Sequence, residues 1–208
     1  MKILPLSDPQ AIQEALQRAQ RVLKAGGVVV IPTDTVYGLT AQASNAQAIA
    51  RLYQLKVRSE NKSIAVLLGD FSQWQEVAAE LPKSAHKLAK RYWPGGMTLI
   101  VPKLETLPPE ISHNEKIGIR IPDLEIIREL IRLTGPLATT SANLSGEPPA
   151  KCLADLPQSI LEGSDLILDG GTVTGGIAST VIDCTEDPVR ILREGALSPD
   201  AIFAEAAS

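Results

Sequence analysis

Aromatic side chains are scarce in this 208-residue chain: three Tyr, two Trp and two Phe make up 3% of it. The core must then be aliphatic, built from Ile, Leu, Val and Ala, and nucleic-acid binding by stacking bases on aromatic platforms lacks its usual material. A basic excess is missing too, since 20 Lys and Arg face 24 Asp and Glu for a net charge of -4. That balance disfavours avid, non-specific binding to a phosphate backbone, and any contact with phosphate falls to a local cluster of cations. The two cysteines, Cys152 and Cys184, have no CxxC spacing, and His86 and His113 are the only histidines. This argues against a structural zinc site and for a reduced, cytosolic setting. No stretch approaches the ~20 apolar residues of a membrane helix, and the apolar run in MKILPLSDPQ is too short for a signal peptide. Also missing are GxxxxGK[ST], a GxGxxG after a strand, a GxSxG elbow and HExxH.

What is present reads as an ordinary globular chain, with 44% hydrophobic and 21% charged residues. Asp8-Pro9 is a helix start, and Ile12, Ala15, Leu16, Ala19, Val22 and Leu23 recur at helical spacing up to Gly26-Gly27. Val28 to Ile31 is a continuous β-branched run, the pattern of a strand buried on both faces. After a short polar element at 32–38, Asn45 caps a second helix that ends near Lys56 and Arg58. Further strands are expected at 63–68, 97–101, 116–121, 137–140, 166–168, 180–183 and 189–192. Helices are expected at 71–81, 83–93, 123–133 and after Ser198-Pro199. No repeat or long linker divides the chain. The expectation is one α/β domain over 1–208, with a twisted mixed sheet flanked by helices around a concave, cation-lined cleft.

Three clusters carry chemistry. Lys56 to Lys62 holds three cations in seven residues before an apolar strand, which also reads as a solvated helix end. Thr139-Thr140-Ser141-Ala142-Asn143 puts hydroxyl and amide groups just past a buried strand, where they suit carboxylate or phosphate oxygens or a plain turn. Arg120 and Arg193 are single arginines at the ends of apolar runs, each needing either a structural carboxylate or a ligand. Residue chemistry alone yields a cleft for an anionic ligand without naming it.

Seven segments in this order resemble the YrdC family, the threonylcarbamoyl-AMP synthases. They are Pro32-Thr33-Asp34-Thr35-Val36-Tyr37-Gly38-Leu39, Lys56-x-Arg58-x-x-x-Lys62, Trp93-Pro94-Gly95, Arg120-x-Pro122, Ser141-Ala142-Asn143, Ser179-Thr180-Val181-Ile182-Asp183 and Arg193-x-Gly195. Where the family often has prolines this chain has Ser59 and Ser63, and Leu67 stands where some members have histidine. Longer members carry an additional C-terminal domain; the chain is similar to the single-domain kind.

The resemblance implies condensation of L-threonine, bicarbonate or CO2, and ATP to threonylcarbamoyl-AMP and pyrophosphate, for the threonylcarbamoyladenosine modification of tRNA. It marks Lys56, Arg58, Ser141 and Asn143 as catalytic and Arg58, Lys62, Lys116, Ser141, Pro149 and Arg193 as ATP-binding. Thr35, Arg120, Thr139 and Ser179 match contacts to threonine, and Tyr37 stands either beside the substrate or in the core. Mg2+ is expected with ATP and no metal site on the protein. The implied partners are the proteins that transfer the threonylcarbamoyl group to tRNA, with a weak contact to tRNA itself and none to a membrane, in the cytoplasm. Two other readings stand beside this one: an RNA-binding module of the same fold, and the carbamoyl-adenylate-forming domain of a carbamoyltransferase. On the main reading, alanine at Lys56 or Arg58 abolishes pyrophosphate release and leaves the fold intact.

Overall fold

In the computed structural model, which describes residues 2–57, 59 and 62–207, a short strand β1 (Ile3–Pro5) leads into helix α1 (Pro9–Lys24). The Asp8 carboxylate accepts the backbone N–H groups of Gln10 and Ala11 at 3.1 and 3.0 Å, two of the four donors that a helix start leaves unpaired. One side of α1 buries Ala15, Leu16, Ala19 and Leu23. Gly26 then turns the chain at φ 79°, a conformation that costs other residues about 1–2 kcal/mol. Strand β2 (Val29–Ile31) follows, with Val30 in one hydrophobic core and Val29 and Ile31 in the other. A β-branched run without alternation suits a strand covered on both sides.

The remaining elements are β3 (Gly38–Gln42), α2 (Ala46–Lys56), β4 (Ala65–Leu67), α3 (Lys83–Tyr92), β5 (Met97–Pro102), β6 (Lys116–Arg120), α4 (Glu125–Thr134), β7 (Leu137–Ser141), α5 (Gln158–Gly163), β8 (Leu166–Asp169), β9 (Thr180–Asp183), β10 (Arg190–Arg193) and α6 (Pro199–Ala207). Among the described residues ten strands form one mixed sheet, ordered β1-β8-β2-β3-β7-β4-β6-β5-β9-β10. Its larger core collects buried residues of α2, α3, α5 and α6; the smaller one lies under α1 and α4. This is the mixed α/β architecture expected from the sequence. No described helix is long and apolar enough to cross a membrane.

One expectation changes, and one unassigned segment turns out to be a strand. Residues 71–81 form only a short 3-10 helix over Phe71–Glu76 instead of an α-helix. Ala78 bridges to Lys103 and the Ala79 N–H bonds to the Pro102 carbonyl, so the chain is drawn out along β5, and Pro82 holds Leu81 extended. Residues 38–42, for which the sequence gives no expected element, form a central strand: Leu39 and Ala41 alternate into the core, leaving Gly38, Thr40 and Gln42 on the other face. The reason lies in the site.

Candidate active site

Residues paired in register across a sheet face the same side. The register sets Gly38 beside Ser141 and Thr40 beside Thr139, Ala65 beside Thr139, Leu67 beside Arg120, and Ile100 beside both Gly118 and Asp183. On this side Leu67 and Leu137 lie in the core under α1 and α4. Two residues along the same strands, Ala65 and Thr139 take their place, and the cover ends. Leaving small and polar residues uncovered costs little, whereas a leucine kept out of the core forfeits about 1.5–3 kcal/mol. The result is a cavity of about 400 Å3 whose floor is the sheet itself.

Gly38 is required here, because a Cβ on it would lie 2.7 Å from the Thr139 Cγ2 methyl. Gly38→Ala is therefore expected to lower stability by about 1–3 kcal/mol. Thr139→Ser removes that methyl and should restore most of the loss. An unchanged chemical-unfolding midpoint in Gly38→Ala would contradict the fit.

Arg120 ends β6 on the cavity floor and is 6% exposed. Its Nε donates to the Gly95 carbonyl at 2.8 Å, Nη1 to Thr35 Oγ1 at 2.9 Å and Nη2 to Asp34 Oδ1 at 2.5 Å. A guanidinium has five N–H groups, so two remain, the number a carboxylate needs for a bidentate contact. Thr33 Oγ1 donates to the Val36 carbonyl at 2.7 Å and lies 3.0 Å from Thr35 Oγ1. The Thr35 hydroxyl accepts from Arg120 and lies against the Thr33 hydroxyl. The loop after β2 thus presents Thr35 to the cavity in a fixed orientation.

At the opposite wall Ser179 Oγ lies 2.8 Å from Thr98 Oγ1 and accepts from Arg193 Nη2 at 3.0 Å. The Arg193 Nε donates to the Ser179 carbonyl at 2.9 Å, which folds this exposed side chain back over the cavity edge. Gly195 permits the close approach: a Cβ there would lie 2.5 Å from the Thr180 nitrogen. The third wall is the segment 141–149, with Ser141, Asn143 and Pro149 lining the cavity. The Asn143 amide donates to the Leu144 and Glu147 carbonyls at 2.9 and 2.6 Å.

Lys56 lies behind that wall rather than in it. Only 1% exposed, its ammonium bonds to the Ser141 carbonyl, to the Asn143 carbonyl at 2.6 Å and to Asn143 Oδ1 at 3.0 Å. These bonds tie the Ser-x-Asn segment to the end of α2. The expectation that Lys56 is dispensable to the fold is corrected by this burial. Arg58 lies outside the described residues. Lys62 is exposed, its carbonyl accepting from the Tyr53 hydroxyl at 3.1 Å, and it does not line the cavity.

Lys116 shares the strand face of Gly118 and Arg120 but also stands outside the lining, paired with Asp183 at 2.9 Å and Glu186 at 3.7 Å. Burial works to raise the Asp183 pKa, yet hydrogen bonds from Thr185 and Lys116 outweigh it and hold the carboxyl below its ordinary value. Tyr37 belongs to the core, fully buried, its hydroxyl donating to the Gly171 carbonyl at 2.8 Å and its pKa pushed up by burial to about 12.

The cleft is concave as expected, but among the described lining residues its charges reduce to Arg120, Arg193 and Glu147. Sequence reasoning missed Asp34, Thr33, Thr98, Gly118 and the Gly95 carbonyl. Small residues within otherwise apolar strands, Thr98 and Gly118 above all, were the available signal. Among the described residues no group of three or more His, Cys, Asp or Glu is placed to hold a metal ion. Both cysteines are free, and burial raises the Cys184 thiol to about 12, out of reactive range.

Comparison with known proteins places this site in context. The family model Sua5_yciO_yrdC, described as "Telomere recombination", matches residues 21–195. The chain is 37% identical over 182 residues to a threonylcarbamoyl-AMP synthase of Pyrococcus abyssi, covering 86% of this chain and 54% of that protein. With the threonylcarbamoyl-AMP synthase of Bacillus subtilis it shares 39% identity over 206 residues, 97% of this chain and 58% of the other. It thus spans little more than half the length of either. The crystal structure of P. abyssi Sua5 complexed with L-threonine superposes with a TM-score of 0.91 at 34% identity, over 99% of this chain and 61% of that one.

Proposed function

As the chain belongs to the Sua5, YciO and YrdC family, we propose that it condenses L-threonine, bicarbonate or CO2, and ATP to threonylcarbamoyl-AMP and pyrophosphate. One observation carries the reading: a single cavity gathers Thr35, Arg120, Thr139 and Ser179 beside Ser141, Asn143, Pro149 and Arg193. Arg120 would hold the α-carboxylate through its two remaining N–H groups, with the Thr35, Thr139 and Ser179 hydroxyls around the rest of the amino acid. The amine adds to CO2 and loses a proton, giving a carbamate. A carbamate oxygen then attacks the α-phosphorus of ATP, and the bond to pyrophosphate breaks. Such a transfer needs alignment and charge neutralisation more than covalent help, so a missing general base is no obstacle. Ser141, Asn143 and Arg193 would meet the nucleotide, with Arg58, Lys62 and Lys116 as further cations of that side and Lys56 fixing the segment that meets it. Mg2+ would arrive on the phosphates of ATP as part of the substrate, since Glu147 is the one carboxylate among the described lining residues.

The product of this reaction would serve tRNA threonylcarbamoyladenosine formation in the cytoplasm, through proteins that pass the threonylcarbamoyl group to tRNA. The deciding experiment incubates the protein with ATP, Mg2+, bicarbonate and each amino acid in turn, followed by mass analysis of the adenylate. Threonylcarbamoyl-AMP with threonine alone is the expected product. An adenylate formed from carbamoyl phosphate instead would identify a carbamoyltransferase domain, and salt-dependent RNA binding without ATP turnover would identify an RNA-binding module.

A further inference from the structure

We propose that Asp34 is a positioning residue that holds Arg120 in the orientation needed to grip a carboxylate. Asp34 is not among the residues that line the cavity; its carboxylate reaches the guanidinium at 2.5 Å, with the two side chains only 16% and 7% exposed. A guanidinium so buried needs a counter-charge, and among the described residues Asp34 is the acid within salt-bridge reach. The three bonds to Gly95, Thr35 and Asp34 are spread over all three guanidinium nitrogens, so the plane cannot rotate and one donor is left on each terminal nitrogen. Without Asp34 the Nη2 end loses its charged anchor, and the fork that faces the cavity is no longer fixed.

Asp34 is itself held from behind. A Cβ on Gly175 would lie 2.1 Å from the Asp34 carbonyl oxygen, so only glycine allows this approach, and the Gly176 N–H donates to the Thr35 carbonyl at 2.7 Å. The Thr33 hydroxyl accepts the N–H groups of Thr35 and Val36 at 3.1 and 3.2 Å, closing the turn around Asp34. Backbone and side chain are therefore set before any ligand arrives, and pre-organisation of this kind raises affinity by removing the cost of ordering on binding.

The consequence for an amino-acid substrate rests on the function proposed above, so the test has one arm without ligand and one with it. Asp34→Asn keeps the shape and an acceptor but removes the charge; Asp34→Ala removes both. In the ligand-free protein the Arg120 side-chain N–H resonances should show slow rotation of the guanidinium in the wild type and averaging in Asp34→Ala, with Asp34→Asn between them. By titration calorimetry L-threonine should bind roughly tenfold more weakly to Asp34→Asn and weaker still to Asp34→Ala, while the KM for ATP stays within about twofold. In an Arg120→Ala background the Asp34→Asn change should have no further effect on threonine. Unaltered guanidinium rotation, or equal threonine affinity in folded Asp34→Asn, overturns the proposal. A wild type that immobilises Arg120 yet binds no threonine overturns the substrate reading and leaves the positioning role standing.

Discussion

Replacing Lys56 with methionine is expected to abolish adenylate formation and to destabilise the protein by about 2–5 kcal/mol. Methionine matches the length of lysine, so the loss comes from polar groups and not from a void. It leaves the Asn143 carbonyl and the Asn143 side-chain oxygen without the ammonium that now bonds to them, inside a site 1% exposed, while the Ser141 carbonyl keeps only the Asn143 N–H at 3.0 Å. Each unpaired buried acceptor costs about 1–3 kcal/mol, which sets the range once some relaxation is allowed. The segment 141–143 should shift to find new donors, carrying Ser141 and Asn143 out of the cavity wall. A contact to phosphate alone would lose activity at unchanged stability, whereas the buried role loses both. Urea unfolding together with pyrophosphate release separates them, and a fully stable but inactive Lys56→Met would return the ammonium to the nucleotide.

That distinction shows where the sequence was legible and where it was not. Asp8 with Pro9, Asn45 and the Val28 to Ile31 run act through neighbours in the chain, and each stands where its local chemistry put it: the Asn45 side chain accepts the Ala48 N–H at 2.9 Å, and β2 is buried throughout. Lys56 could not be read that way. At a helix C-terminus a lysine ordinarily lies in solvent, and the carbonyls that bury this one come from residues 141 and 143. Strand β3 had no expectation attached to it: Leu39 and Ala41 alternate into the core, but Gly38, Thr40 and Gln42 on the other face are chosen by what lies across the sheet, Thr139 and the cavity. The site residues were legible mainly as a family resemblance in seven separate segments. Spacing along the chain says nothing of Asp34 meeting Arg120 across 86 residues.

Arg120→Lys should reduce kcat/KM for threonine by about a hundredfold or more while leaving the KM for ATP within about twofold. Lysine keeps the positive charge, so Asp34 retains a counter-ion and the fold should survive. What it loses is geometry. One ammonium has three N–H groups at a single point, and it cannot reach the Gly95 carbonyl, Thr35 Oγ1 and Asp34 Oδ1 from one place while also offering two parallel donors to a carboxylate. The lysine should settle against Asp34, withdrawing its donors from the cavity and leaving the Gly95 carbonyl unpaired. Because charge is conserved, any loss reports the fork itself, and because Arg193 and the Ser141–Asn143 wall are untouched, the nucleotide side should not respond. Steady-state rates across threonine and ATP concentrations decide the matter. A threonine dependence unaltered in Arg120→Lys would show that charge alone suffices at this position, and would remove the bidentate grip from the mechanism. Equal losses on both substrates would instead mean that Arg120 holds the cavity floor as a whole, through the Gly95 turn and the loop after β2, and not the amino acid alone.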